Sequence, residues 1–215
     1  MSLYASFQKV IASLGMTELT HPIFYHSPIG IRFDIGENGN EVYIDKLNDA
    51  FSVNPDYVNA CLDRSTKIYG SLKTAPDLLA IESYLCKEET IEGFISSVVS
   101  AADLPQPHEI KSEICHGEED LVHVYLFWKR NGFQSDKVLE EIIRADLGSG
   151  NNFLTSSVHF VCVKVHVLFH LYDDRGADLV ADKKETIQHI YRSFHDWISD
   201  FDRDKIERIF NTTAE

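Results

Sequence analysis

Apolar residues in this chain first recur at helical spacing. Leu3, Phe7, Val10, Ile11 and Leu14 lie three and four apart, a single stripe with Gly15 as its stop, which predicts a docking helix. From Ile29 the period drops to two, with Ile29, Ile31, Phe33 and Ile35 on one face and Arg32 and Asp34 on the other. Ile23-Phe24-Tyr25 precedes that strand and Glu41-Val42-Tyr43-Ile44 follows it after a Gly-Glu-Asn-Gly-Asn turn, so the pattern predicts an N-terminal meander of short strands. Asn54 before Pro55 is a cap followed by a first-turn proline. Tyr57, Val58, Cys61, Leu62, Ser65, Ile68 and Tyr69 then make the inward stripe of a helix to about Gly70, with Asp63 and Arg64 outward.

A strand over 78–85 and a short helix bearing Ile91, Phe94, Ile95, Val98 and Val99 follow, ended by Leu104-Pro105-Gln106-Pro107. Residues 109–115 and 121–129 frame His116-Gly117-Glu118-Glu119-Asp120, and the alternation of Val122, Val124, Leu126 and Trp128 predicts a hairpin. Ser135 is read as the cap of a helix with Val138, Leu139, Ile142, Ile143 and Leu147 inward and Gly148 as its stop. The longest β-branched and aromatic run, 158–181, is broken by Tyr172-Asp173-Asp174-Arg175-Gly176, a tight turn in which Gly176 is expected to supply positive φ. Ile187, Ile190, Tyr191, Phe194, Trp197, Ile198 and Phe201 then predict one continuous helix, and Asp202 caps a final short one bearing Ile206, Ile209 and Phe210.

Together these elements predict a single α+β domain: a largely antiparallel sheet covered by helices at 55–70, 136–147 and 184–201. The 215 residues suffice for one core, and no Pro/Gly/Ser-rich linker divides them. Twenty Lys plus Arg stand against 34 Asp plus Glu, a balance of −14. That charge repels phosphate backbones and anionic bilayers, so nucleic acid and membrane are not expected partners, whereas a basic protein or cations are. The four cysteines are scattered without a Cys-x-x-Cys pair, as in reduced cytoplasmic proteins. No signal-peptide pattern opens the chain and no apolar run reaches membrane-spanning length.

Candidate chemistry centres on Asp173, Asp174, Arg175 and Asp178. Three carboxylates and a guanidinium at one turn suit either a hard cation and a phosphoryl group or plain turn stabilisation, with Arg175 clamping the acids. Asp200-Phe201-Asp202-Arg203-Asp204 begins like a calcium loop but lacks its glycine and its final glutamate, Lys205 and Asn211 standing there. His108, Cys115, His116 and His123 share one hairpin without diagnostic metal-site spacing, while His159, His166 and His170 could converge on a metal across the next or stand as exposed strand histidines. The Gly-Ser-Gly-Asn-Asn loop follows its helix, where a phosphate cradle must precede one. No nucleophile, cofactor or zinc-enzyme motif is present.

The run from Phe169 to Val180 around the Tyr-Asp-Asp-Arg-Gly turn, followed by Tyr191, Trp197 and Asp202-Arg203, resembles the bacterial proteins grouped as domain of unknown function 3885. Phe24-Tyr25, Gly30-Ile31-Arg32-Phe33-Asp34, Arg64 and Tyr69 extend the resemblance over most of the chain, 91–112 excepted. The turn Cys162-Val163-Lys164-Val165-His166 is more apolar than that family's pattern implies. The resemblance implies a bacterial cytoplasmic protein and supplies no catalytic residues. Two function classes follow. The leading one is a non-catalytic acidic binding module of the immunity or inhibitor type that meets a basic protein. The other is a metal-assisted enzyme on a small or phosphorylated substrate, with Asp173, Asp174 and Asp178 holding the ion and Arg175 or Arg32 meeting the anion.

Overall fold

A computed structural model describes residues 1–37, 39–46, 50–86, 89–115, 121–148 and 157–212. In chain order these form α1 (Leu3–Ser13), α2 (Ile23–His26), β1 (Gly30–Asp34), β2 (Tyr43–Lys46), β3 (Ala50–Val53), α3 (Pro55–Gly70), β4 (Leu78–Cys86) and α4 (Ile91–Ala101). Then come β5 (Glu109–Ile114), β6 (Leu121–Lys129), α5 (Ser135–Asp146), β7 (Ser157–Cys162), β8 (Val167–Leu171), β9 (Gly176–Ala181), α6 (Lys184–Ser193) and α7 (Arg203–Asn211). Seven strands pair antiparallel in the order β1-β9-β8-β7-β4-β6-β5, and β2 and β3 form a separate ribbon. The fold is α+β, as the periodicities predict. Among the described residues no helix is long and apolar enough to cross a membrane.

Apolar residues cover both sheet faces, which is why β7, β8 and β9 read as nearly unbroken hydrophobic runs. On one face Phe7, Val10 and Ile11 of α1, with Leu14 at its C-cap, pack on Leu78, Ala80, Phe127, Val161, Leu168 and Val180. On the other, α3, α4, α5, α6 and α7 bury Val58, Val98, Ile143, Ile190 and Ile206 against Phe33, Leu79, Leu126, Trp128, Phe160 and Leu179. Gly15 ends α1 at φ +83°, so the helix covers only part of its face.

Several expectations are corrected. Ile23-Phe24-Tyr25 lies in the single helical turn α2, and β2 pairs with β3 rather than β1, so the described residues form no N-terminal meander. The helix after β9 stops at Ser193: His195–Trp197 is a 3₁₀ turn, and Ile198 is buried because it bridges Phe33, with the Ser199 amide donating to the Arg32 carbonyl. Phe201 is 89% exposed instead of inward. Asp202 holds the cap position of α7 without a side-chain cap bond, because its carboxylate accepts from the Tyr25 hydroxyl. Gln134, not Ser135, precedes α5. Arg64 is half-buried, donating to the Asp34 carbonyl and lying over Trp197. Gly176 is required for space, not for positive φ: a Cβ there would overlap the Tyr172 hydroxyl and stand 2.8 Å from the Phe33 carbonyl oxygen. The predicted turns at 36–40, 116–120 and 148–152 fall wholly or partly outside the described residues.

Candidate functional site

The four residues singled out around the distinctive turn, and Arg32 on β1, do not gather into one site. Asp173 accepts from the Arg175 amide (2.7 Å) and from its guanidinium, whose side chain is 72% exposed. Asp174 turns to the other side and accepts from the Tyr57 hydroxyl at 2.5 Å. Burial and the nearby Asp173 charge raise its pKa, against the lowering effect of that bond. Asp178, fully buried, receives Arg32 Nε and Nη2 at 2.8 and 2.9 Å and the Phe24 amide at 3.2 Å. Arg32 is sandwiched further, its guanidinium 4.7 Å from the Tyr25 ring centre and 5.3 Å from that of Phe24. Three carboxylates thus have three different partners, and both guanidiniums are engaged by acids.

A second polar assembly does form, on the α1 face beside that helix, where the Phe7 ring lies 6.4 Å from that of His159. Strand period places Glu82 two residues from Ala80, His123 two from Tyr125, His159 two from Val161 and His170 two from Leu168, so all four side chains share the face that α1 packs on. The sheet order then sets their strands side by side. His21, on the segment between α1 and α2, closes over them: its ring stacks on His159 at 5.2 Å and packs on His170 at 4.9 Å. His159 and His170 are 4.6 Å apart.

Glu82 is the hub, only 4% exposed. His21 Nε2 is 2.5 Å from its Oε1, His123 Nε2 3.1 Å from its Oε2, and His159 Nε2 3.6 Å from its Oε1. Burial alone would raise this carboxyl's pKa, but the imidazoles outweigh it and hold Glu82 ionised, well below the usual carboxylate range. The pKa values of His159 and His170 are lowered as well, but from a different cause. Desolvation lowers both, opposed for His159 by Glu82 and reinforced for His170 by the neighbouring rings, so both are neutral imidazoles. Neither ring nitrogen of His159, nor Nδ1 of His170, has a hydrogen-bond partner among the described residues. Burial and Glu82 also push the Tyr125 hydroxyl up, keeping it protonated.

Two clefts meet at His21. The larger, about 520 Å³, is also lined by His123, Tyr125, Glu18 and Glu113, and the smaller, about 370 Å³, by His170, Tyr172 and the Arg32–Asp178 pair. The strand histidines 159, 166 and 170 considered from the sequence separate here: 159 and 170 join the cluster, while His166 sits in the β7–β8 turn against Asp182. Among the described residues of the other hairpin, only His123 joins. His108 lies over Gly132, and His116 is outside the described residues. Glu82 and His21 were not legible as site residues, one being a lone polar position in a strand and the other a loop residue.

Residues 7–202 of the chain match the model of the family described as Domain of unknown function (DUF3885), and the chain belongs to that family. A curated relative is the uncharacterized protein YnaE of Bacillus subtilis (strain 168), 23% identical over an alignment 205 residues long, with 86% of this chain and 92% of that protein covered. No solved structure matches.

Proposed function

We propose that the protein is an enzyme performing acid–base chemistry on a small uncharged or cationic molecule bound beside His21. The observation that carries this reading is the surroundings of Glu82: a buried, ionised carboxylate with imidazoles on both oxygens, two of whose rings line the larger cleft. A carboxylate that engages one imidazole nitrogen fixes the ring and leaves the other nitrogen to take or give a proton. Charge neutralisation alone needs no histidine, since the same sheet face satisfies Asp178 with an arginine. Imidazole differs from guanidinium in exchanging protons near neutral pH. The cleft lining includes Glu18 and Glu113 and, among the described residues, no lysine or arginine, which disfavours phosphorylated and other anionic substrates.

A thermal-shift panel of amines, amides and nucleosides tests this, because a ligand that binds only the native state raises the melting temperature by mass action. At least one compound should stabilise the wild type and not His21→Ala. A panel without response, or with equal response in both proteins, refutes the proposal. The balance of −14 supports a second reading, a basic protein partner, whose retention in a pull-down would weaken steeply with salt.

A further inference from the structure

We infer that His21, Glu82 and His159 form a binding site for one divalent cation of the Zn²⁺ type. The inference rests on the reading of this cluster as the reaction centre and names what organises it. One ligand atom from each residue lies within 4.8 Å of the other two. Around a tetrahedral zinc, with Zn–N near 2.0–2.1 Å, ligand atoms stand about 3.3 Å apart. The 2.5 Å from His21 Nε2 to Glu82 Oε1 and the 3.6 Å from His159 Nε2 to the same oxygen bracket that spacing.

His159 supplies the independent observation. It is fully buried, and neither of its ring nitrogens meets a hydrogen-bond partner among the described residues. A neutral imidazole has a donor and an acceptor, and buried polar groups are ordinarily satisfied. A cation on Nε2 satisfies one of those two nitrogens, with Nδ1 carrying the proton. It also places a positive charge on the Glu82 carboxylate, which is only 4% exposed. Two nitrogens and one carboxylate oxygen suit zinc, iron or nickel, whereas calcium and magnesium prefer oxygen sets. His123, on the carboxylate's second oxygen, orients the first toward the imidazoles. Three protein ligands leave a coordination position for water or substrate, the pattern of catalytic zinc sites.

The test is calorimetric titration of Zn²⁺ into untagged, chelator-stripped full chain, with Ca²⁺ in parallel. Expected is one Zn²⁺ per chain, affinity lowered at least about tenfold in His21→Ala and in Glu82→Gln, and little Ca²⁺ binding. His21 lies outside the regular elements, so His21→Ala should keep the native circular dichroism and remain informative if Glu82→Gln fails to fold. The exposed Cys86 and the partly exposed Cys115 are alternative zinc ligands, and Cys86→Ser/Cys115→Ser should bind as the wild type does. No Zn²⁺ binding, binding unchanged by His21→Ala, or binding lost only in the thiol variant overturns the inference. Absence of zinc binding alongside a His21-dependent ligand shift defeats the metal alone. Zinc bound at these residues without any ligand response defeats the enzyme reading alone.

Discussion

Replacing Arg32 by leucine should cost about 3–5 kcal/mol, the range for stranding one member of a buried ion pair. The structure fixes why the figure belongs at that level. Asp178 is fully buried and has three donors, two from Arg32, so the variant leaves it only the Phe24 amide at 3.2 Å. Letting a stranded carboxylate take up a proton brings no escape, since an ordinary carboxyl costs about 4 kcal/mol to protonate at pH 7. The guanidinium's contact with the Tyr25 ring adds about 0.5–2 kcal/mol to the loss. Urea unfolding followed by Trp128 and Trp197 fluorescence measures this, and with a slope near 2–3 kcal/mol/M the midpoint should fall by about 1–2 M. Arg32→Leu/Asp178→Asn should recover a large share of the deficit, because it removes the stranded charge as well. An Arg32→Leu variant within 1 kcal/mol of the wild type, or a double variant no better than the single, would refute the reasoning.

Other outcomes follow from the same geometry. Arg175→Ala should cost less than about 1 kcal/mol, since its pair with Asp173 is local and its side chain mostly in solvent; a melting temperature lowered as far as in Arg32→Leu would contradict this. Gly176→Ala should cost about 1–3 kcal/mol or more, because the added methyl collides with the Tyr172 hydroxyl and the Phe33 carbonyl, and an unchanged unfolding midpoint would show the contact to be soft. Burial, helped by Asp77, pushes the Cys162 thiol up to about 12, so at pH 8 iodoacetamide should modify the exposed Cys86 and spare Cys162; equal labelling by mass spectrometry would refute that.

Local periodicity reveals elements far better than it reveals this site. Asn54-Pro55 gave α3 its start, Gly15 and Gly148 mark positive-φ stops, and the Tyr172–Gly176 turn joins β8 to β9 as read. Apolar spacing misleads where burial has another cause: Ile198 fits a helical stripe yet is buried by pairing with Phe33, after the helix has ended. The cluster escapes because its members come from four strands and a loop, with Glu82 and His21 61 residues apart. Each strand does show the relevant signal, a polar residue two places from an apolar one on the α1 face. Only the order β8-β7-β4-β6, set by non-local pairing, turns those four signals into one site. The turn acids Asp173, Asp174 and Asp178 are conspicuous for the opposite reason: they are close in sequence, and backbone direction sends them to three different partners.

Turnover tests the Glu82 centre most directly. Wild type and Glu82→Gln, each shown to be folded by circular dichroism, are incubated with a cell-free small-molecule extract and compared by mass spectrometry for compounds consumed and formed. The account predicts that the wild type depletes at least one uncharged or cationic compound with matching product, and that Glu82→Gln slows this by about 100-fold or more, the scale of a lost acid–base group. Depletion by Glu82→Gln at the wild-type rate, or none by the wild type, would contradict it.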